Sequence, residues 1–229
     1  MDLPQIDREA IPLISADQMR EVDRIMIEEV GIELIQMMEN AGRNLADLAI
    51  RRFAPGSVVV LAGNGGNGGG GLVAARHLAN RGVRVTVILV ATSAKLTRVP
   101  GHQFGILQRM GVEIAVNPTA ADLVVDAMIG YSLSGDPTGR SAELIDWANQ
   151  QAAVLSLDNP SGLDVTTGVA GSPCVAATAT MTLALPKTGL VTADQAGELY
   201  LADISVPPSV YSSIGLGQVD LFADGTIIR

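Results

Sequence analysis

The chain is poor in the residues that carry most metal and redox chemistry: its 229 residues include one cysteine and two histidines. A lone thiol, Cys174, excludes an internal disulfide framework and fits a reducing compartment, where it reads as a small buried hydrophobe. His77 and His102 stand on separate segments, which argues against a histidine-rich transition-metal site. Aromatic residues make up only 3% of the chain, so the core must be built from Val, Ile, Leu, Ala and Met. That palette suits a parallel sheet covered by helices. Basic residues are scarce as well. Fifteen Lys and Arg face 24 Asp and Glu, a formal charge of −9, and such a surface repels nucleic acid and anionic membranes. No apolar run reaches transmembrane length without a charge or a breaker. The opening Met1-Asp2-Leu3-Pro4 shows neither a basic n-region nor an apolar h-region, so a cytoplasmic protein is expected.

Glycine, by contrast, is abundant and concentrated. Gly63-Asn64-Gly65-Gly66-Asn67-Gly68-Gly69-Gly70-Gly71 places seven glycines in nine residues. The apolar run Val58–Ala62 precedes it and the alanine-rich helical pattern Leu72–Arg81 follows. A strand, a glycine loop and a helix N-terminus in that order form an anion-binding device, because backbone N–H groups can approach a phosphate and the helix dipole favours negative charge. A plain flexible loop is the alternative, and the position between strand and helix favours a ligand loop.

Upstream, Ser15 and Gln18 give a capping-box signature, and Met19, Val22, Met26 and Val30 follow at helical spacing until Gly31. A second helix is expected over 33–52. Downstream, strands are expected at 83–90, 112–116, 123–126, 154–157, 177–185 and 198–204, with helices at 101–110 and 142–151. Alternation of this kind predicts a doubly wound, mostly parallel sheet. With no internal repeat or composition break, residues 1–229 read as a single domain.

In such a sheet, ligands bind beyond the carboxyl ends of the strands, at the point where strand order reverses. Three strand-end loops would bring Asn67, Asp126, Asp158 and Ser161 to one edge. A single Asp there would be a turn or helix cap, but two at the ends of apolar strands beside a glycine loop favour a site. Gly63 to Gly68 also satisfies G-x-G-x-x-G, yet the acidic residue needed to hold a ribose is missing after the 83–90 strand, which runs into Ala91-Thr92-Ser93-Ala94-Lys95. No Gly-Lys-Ser/Thr follows the glycines, which excludes a P-loop. Ser161 has no histidine partner in its sequence context and lacks the G-x-S-x-G elbow. What remains is oxygen chemistry. An Asn carbonyl, an Asp carboxylate and a Ser oxygen suit a hard cation such as K⁺ or Na⁺. Asp158 would then be free for acid–base work in a dry pocket that raised its pKa.

Beyond these separate readings, the order of motifs resembles the YjeF N-terminal domain family. The segments that carry the resemblance are Met37-Met38-Glu39-Asn40-Ala41-Gly42, Gly63 to Leu78, Val125-Asp126-Ala127-Met128-Ile129-Gly130, Asp158-Asn159-Pro160-Ser161-Gly162-Leu163-Asp164 and Leu185-Pro186-Lys187-Thr188-Gly189-Leu190. The resemblance implies a Rossmann-like three-layer α/β/α sandwich with two extra N-terminal helices. It implies NAD(P)H-hydrate epimerase activity, which interconverts the R and S epimers at the hydrated C6 of NADHX and NADPHX. A potassium ion, one per subunit, would be held by Asn67, Asp126 and Ser161. Substrate would be bound by Gly66, Asn67, Gly68, Gly69 and Gly70, by Gly130, Tyr131, Ser132, Leu133, Ser134, Gly135 and Asp136, and by Asp158, which is also the expected catalytic residue. The implied partners are a separate ADP- or ATP-dependent dehydratase and, as in many family members, a second copy of the chain. The sequence departs from the family pattern at Gly66 and Gly70, where the pattern has Asn and Asp, at Tyr131-Ser132 for Thr-Gly, and at Asn159 for Ile. Two readings therefore stay open: an epimerase, and a non-catalytic member that binds a nucleotide-like ligand or a protein partner.

Overall fold

The apolar runs become the strands of one eight-stranded sheet, seen in a computed structural model that describes residues 3–6, 11–133, 135–217 and 219–229. The strands are β1 (Ser57–Ala62), β2 (Arg84–Leu89), β3 (Glu113–Ala115), β4 (Leu123–Ala127), β5 (Val154–Leu157), β6 (Ala179–Leu183), β7 (Glu198–Ala202) and β8 (Ile227–Ile228). Their order is β3-β2-β1-β4-β5-β6-β7-β8, parallel throughout except for the β7–β8 pair. Strand order therefore reverses between β1 and β4, which opens a crevice at their carboxyl ends.

Among the described residues six α-helices cover the sheet: α1 (Ala16–Arg24), α2 (Leu34–Phe53), α3 (Gly66–Ala79), α4 (Arg98–Arg109), α5 (Arg140–Ala148) and α6 (Pro208–Ser213). Alternate strand residues feed two cores, as a pleat with period two requires. Val58, Val60, Val125 and Leu155 face α2, α3 and α4, whereas Val59, Leu61 and Val124 face Leu144, Ile145 and Ala148 of α5. The sandwich is three-layered, as expected, and both added N-terminal helices are present. Ser15 and Gln18 form the capping box, with the Ser15 hydroxyl accepting from the Gln18 N–H at 3.1 Å. The helix then widens into π turns over Ile25–Val30 and stops at Gly31, whose φ of 82° only glycine adopts without strain. No helix among the described residues is long and apolar enough to cross a membrane.

One expectation needs correcting. The glycine run is not a loop ending at Gly71; α3 already begins at Gly66. Glycine disfavours helix by about 1 kcal/mol per residue relative to alanine, and close packing overrides that preference here. A Cβ on Gly70 would lie 2.7 Å from the Leu157 side chain, and one on Gly71 would lie 2.4 Å from the Ala127 Cβ. From the other side, a Cβ on Gly42 of α2 would lie 2.4 Å from the Gly70 carbonyl. The glycines let α3 press onto the sheet and α2 press onto α3. The strands β6 and β7 are also shorter than the expected 177–185 and 198–204, while β8 and α6 carry too little pattern to be anticipated.

Candidate active site

The crevice at the switch point holds a cleft of about 390 Å³. The N-terminus of α3 enters it through Gly65, Gly66 and Asn67, and no side chain among the described residues caps that terminus. Uncapped N–H groups at the positive end of a helix dipole suit an anionic ligand. Gly130, Tyr131 and Ser132 follow β4 along one rim, and Asp158 stands at the end of β5. Met19, Leu34, Met38 and Ile204 add apolar wall.

Not every expected substrate contact reaches this cleft. Gly68, Gly69 and Gly70 are buried inside the helix packing behind the wall. Leu133, Gly135 and Asp136 lie beyond the rim, and the Asp136 carboxylate accepts from the Ser172 N–H at 3.0 Å. Ser134 is outside the described residues. Cys174, expected to be buried, is half-buried, and burial with the nearby charge of Asp126 pushes its thiol up to about 12. It is a poor nucleophile.

Asp126 and Ser161 come together as anticipated, directly under the rim. Asp126 is fully buried; its carboxylate accepts from the Ser161 hydroxyl at 2.5 Å, the Ser161 N–H at 2.8 Å, the Ser156 hydroxyl at 2.9 Å and the Met128 N–H at 3.3 Å. The Ser161 hydroxyl in turn accepts from the Ile129 N–H at 2.9 Å. No lysine, arginine or histidine pairs with Asp126 among the described residues. Burial therefore pushes its pKa up, and the hydrogen bonds from Ser161 and Ser156 pull against that rise. The amide nitrogen of Asn67 is buried with no partner among the described residues, and a Cβ on Gly130 would sit 3.3 Å from the Asn67 Cβ.

Asp158 is not free, contrary to expectation. Its φ of 66° turns the chain sharply at the end of β5, and its N–H bonds the Met181 carbonyl at 2.7 Å. That turn aims the carboxyl group at the end of β6, where the ammonium of Lys187 meets it. Lys187 is fully buried and also donates to the Thr182 hydroxyl at 3.2 Å and the Leu183 carbonyl at 3.0 Å. All protein donors to Asp158 go to one oxygen: Lys187, the Leu183 N–H at 3.2 Å and the Thr182 hydroxyl at 3.4 Å share Oδ1. The other oxygen has no protein donor among the described residues, in a side chain that lines the cleft. Lys187 had a signal in the sequence, since it lies in the Leu185-Pro186-Lys187-Thr188-Gly189-Leu190 motif, but nothing local ties it to Asp158.

A second carboxylate was not anticipated at all. Asp23 of α1 lines the same cleft and accepts from the Tyr131 phenol through Oδ2 at 2.5 Å. In the sequence Asp23 reads as part of the polar face of an amphipathic helix, and no local pattern sets it apart.

Fold and cleft together define a doubly wound α/β protein with a cleft at the switch point. The model of the family described as YjeF-related protein N-terminus matches residues 34–189. The chain belongs to that family. It is 48% identical over 232 aligned positions to the NAD(P)H-hydrate epimerase of Dehalogenimonas lykanthroporepellens, covering 96% of this chain and 94% of that one. It is 39% identical over 205 positions to the bifunctional NAD(P)H-hydrate repair enzyme Nnr of Hyperthermus butylicus, covering 84% of this chain and 38% of the larger protein. The crystal structure of yeast ynu0, YNL200c, superposes with a TM-score of 0.84 at 23% identity, over 96% of this chain and all of that one, which establishes the shared fold.

Proposed function

We propose that this chain is an NAD(P)H-hydrate epimerase, an isomerase that interconverts the two C6 epimers of hydrated NADH or NADPH. The observation that carries the reading is the junction, in one cleft, of an uncapped helix N-terminus with the buried Asp158–Lys187 pair, in a chain 48% identical to a protein of that name. The helix terminus supplies N–H groups for a pyrophosphate. Apolar Met38 and Leu34 offer a dry wall for a ring, and the unclaimed oxygen of Asp158 faces the ligand. Lys187 fixes that carboxylate in place, so its charge is preorganised where the ring would carry positive charge. Loss of the C6 hydroxyl as water would leave a ring iminium, and water added to its other face would give the second epimer.

Gly66 and Gly70, the departures from the family pattern, bear differently on this reading. A Cβ on Gly66 would meet only Leu34 and Met38 at 3.7 Å or more, so glycine there widens the cleft. Gly70 faces Leu157 and α2, inside the packing rather than at the ligand. The departure at Gly70 therefore costs no direct contact in this cleft.

We propose that a hard monovalent cation is held by Asn67, Asp126 and Ser161. The proposal rests on a fully buried carboxylate with no cationic side chain beside it among the described residues and on an orphaned amide at Asn67 that can turn its carbonyl inward. Bound there, K⁺ would supply positive charge next to the rim that carries Ile129 and Gly130. We further propose a cytoplasmic setting and a dehydratase as functional partner; relatives named bifunctional repair enzymes, such as that of Hyperthermus butylicus, support the second point.

The test is direct. Pure R-NADHX incubated with the protein and K⁺ should convert to the S epimer faster than its spontaneous rate, and Asp158→Asn should lower kcat by about 10²–10³-fold. A wild-type rate equal to the spontaneous one would sink the reading in favour of a non-catalytic binding protein.

A further inference from the structure

Epimerisation by loss and return of water poses a geometric problem that Asp158 alone does not solve. The hydroxyl leaves one face of a flat iminium and the new one arrives on the other. A carboxylate anchored at one oxygen reaches one of those faces. The cleft contains a second group of the same kind. Asp23 is anchored through Oδ2 to the Tyr131 phenol at 2.5 Å, and its Oδ1 has no protein donor among the described residues. It projects from α1, the helix outside the doubly wound core, whereas Asp158 rises from the end of β5. The two sides are tied together: the Ile14 N–H bonds the Pro186 carbonyl at 3.0 Å and the Thr188 N–H bonds the Ile14 carbonyl at 3.1 Å, which clamps the start of α1 to the Lys187 segment.

We propose that Asp23 is a second catalytic residue, the acid–base group for one face of the hydrated ring while Asp158 serves the other. The proposal rests on the epimerase reading. In one direction Asp23 gives its proton to the C6 hydroxyl, the C6–O bond breaks with its electron pair, and water leaves. The N1 lone pair forms the C6=N1 bond. Water then bonds to C6 from the other face through an oxygen lone pair, the C=N pair returns to N1, and the excess proton passes to Asp158. Substrate and product have the same atoms and oxidation state; one proton is given and one is taken, and solvent resets both carboxyl groups. The reverse direction exchanges the roles.

The surroundings of Asp23 suit this work. Burial pushes its pKa above the ordinary carboxylate range, the Tyr131 hydrogen bond and the charge of Lys187 pull it down, and the charge of Asp158 pushes it up. Those three groups face it across the cleft, and Arg20, on its own helix, lies 5.9 Å from the centre of the Tyr131 ring. A carboxyl group held closer to neutral pH is a better proton donor and acceptor at the working pH.

Three proteins decide the matter: wild type, Asp23→Asn and Tyr131→Phe, each given R-NADHX with K⁺, with kcat and KM measured across pH. Asp23→Asn should lower kcat by about 10²-fold or more with little change in KM, and should delete one limb of the pH profile. Tyr131→Phe keeps the carboxylate but removes the bond that lowers its pKa, so the Asp23 limb should move to higher pH. An active wild type whose Asp23→Asn variant stays within about threefold in kcat, with the same profile, would overturn the proposal. If Asp23→Asn fails to fold, an unmoved limb in Tyr131→Phe overturns it equally. An inert wild type would instead strike the epimerase reading beneath it.

Discussion

Asp126 and Asp158 end neighbouring regions of one sheet, both are buried, and they are stabilised in opposite ways. Asp158 has a cation inside the protein, the ammonium of Lys187, and lends only one oxygen to it. Asp126 has no such partner among the described residues and spends both oxygens on two hydroxyls and two N–H groups. A buried carboxylate paired with lysine is complete as it stands, whereas one held only by neutral dipoles still carries an uncompensated charge. The first arrangement suits a carboxylate held in place with one oxygen turned toward substrate. The second suits a site that takes its counter-charge from solution.

The largest effect expected from breaking this contrast is at Lys187. Lys187→Met removes the ammonium and strands Asp158, which is only 4% exposed, beside the neutral Thr182 hydroxyl and Leu183 N–H. Urea unfolding should report a loss of about 3–5 kcal/mol, the usual cost of leaving a buried charge alone. Adding Asp158→Leu to that variant should recover much of the stability while leaving no activity, because a buried pair can often be replaced by apolar groups at little net cost. A single-variant loss below about 1 kcal/mol would mean that hydroxyl and amide suffice for Asp158 as they do for Asp126, and the contrast would collapse.

How much of this was readable before the structure depended on how local each signal is. The apolar runs at 123–126 and 154–157 became strands because burial on both faces demands such runs, and the motifs at their ends bring Asp126 and Ser161 into contact and Asp158 to the cleft wall. The start of α3 at Gly66 was hidden because glycine's intrinsic preference points the other way and only contacts with Ala127, Leu157 and Gly42 reverse it. The Asp158–Lys187 pair joins residues 29 positions apart and the Asp23–Tyr131 bond joins residues 108 apart. Neither distance leaves a trace in spacing. Asp23 was further masked by Arg20, Glu21 and Arg24, whose charges make its helix face look uniformly solvated.

A smaller effect should come from supplying Asp126 with its missing counter-charge. Its pKa is raised by burial, so its contribution to stability is complete below the ordinary Asp value and is lost as pH rises through the elevated folded value. A cation bound beside the ionised form offsets that loss. Potassium chloride should therefore raise the thermal midpoint more than choline chloride of equal ionic strength, by the equivalent of about 2.7 kcal/mol at a hundredfold excess over Kd. The gain should be greatest near neutral pH, fade in acid, and vanish in Asp126→Asn. Equal responses to the two salts at neutral pH would remove the cation from the Asn67, Asp126 and Ser161 cluster.

The finest comparison sets two hydroxyls against each other. Ser156 donates to Asp126 at 2.9 Å, and Thr182 donates to Asp158 at 3.4 Å beside the ammonium that already neutralises it. Ser156→Ala removes one of the few dipoles holding an unpaired charge, so it should cost about 1–2 kcal/mol. Its cost should grow with pH, because losing the bond pushes the pKa of Asp126 further up and enlarges the penalty for ionising it. Thr182→Val removes a longer bond from a carboxylate whose charge is already met, along with one acceptor of the Lys187 ammonium, which keeps Asp158 and the Leu183 carbonyl, and should cost about 1 kcal/mol, with little dependence on pH. Urea unfolding of both variants near pH 5 and pH 8, without potassium, separates the cases. A Thr182→Val loss as large as that of Ser156→Ala would show that the ion pair does not relieve Asp158 of its need for neutral donors, and that the two carboxylates are held by the same means after all.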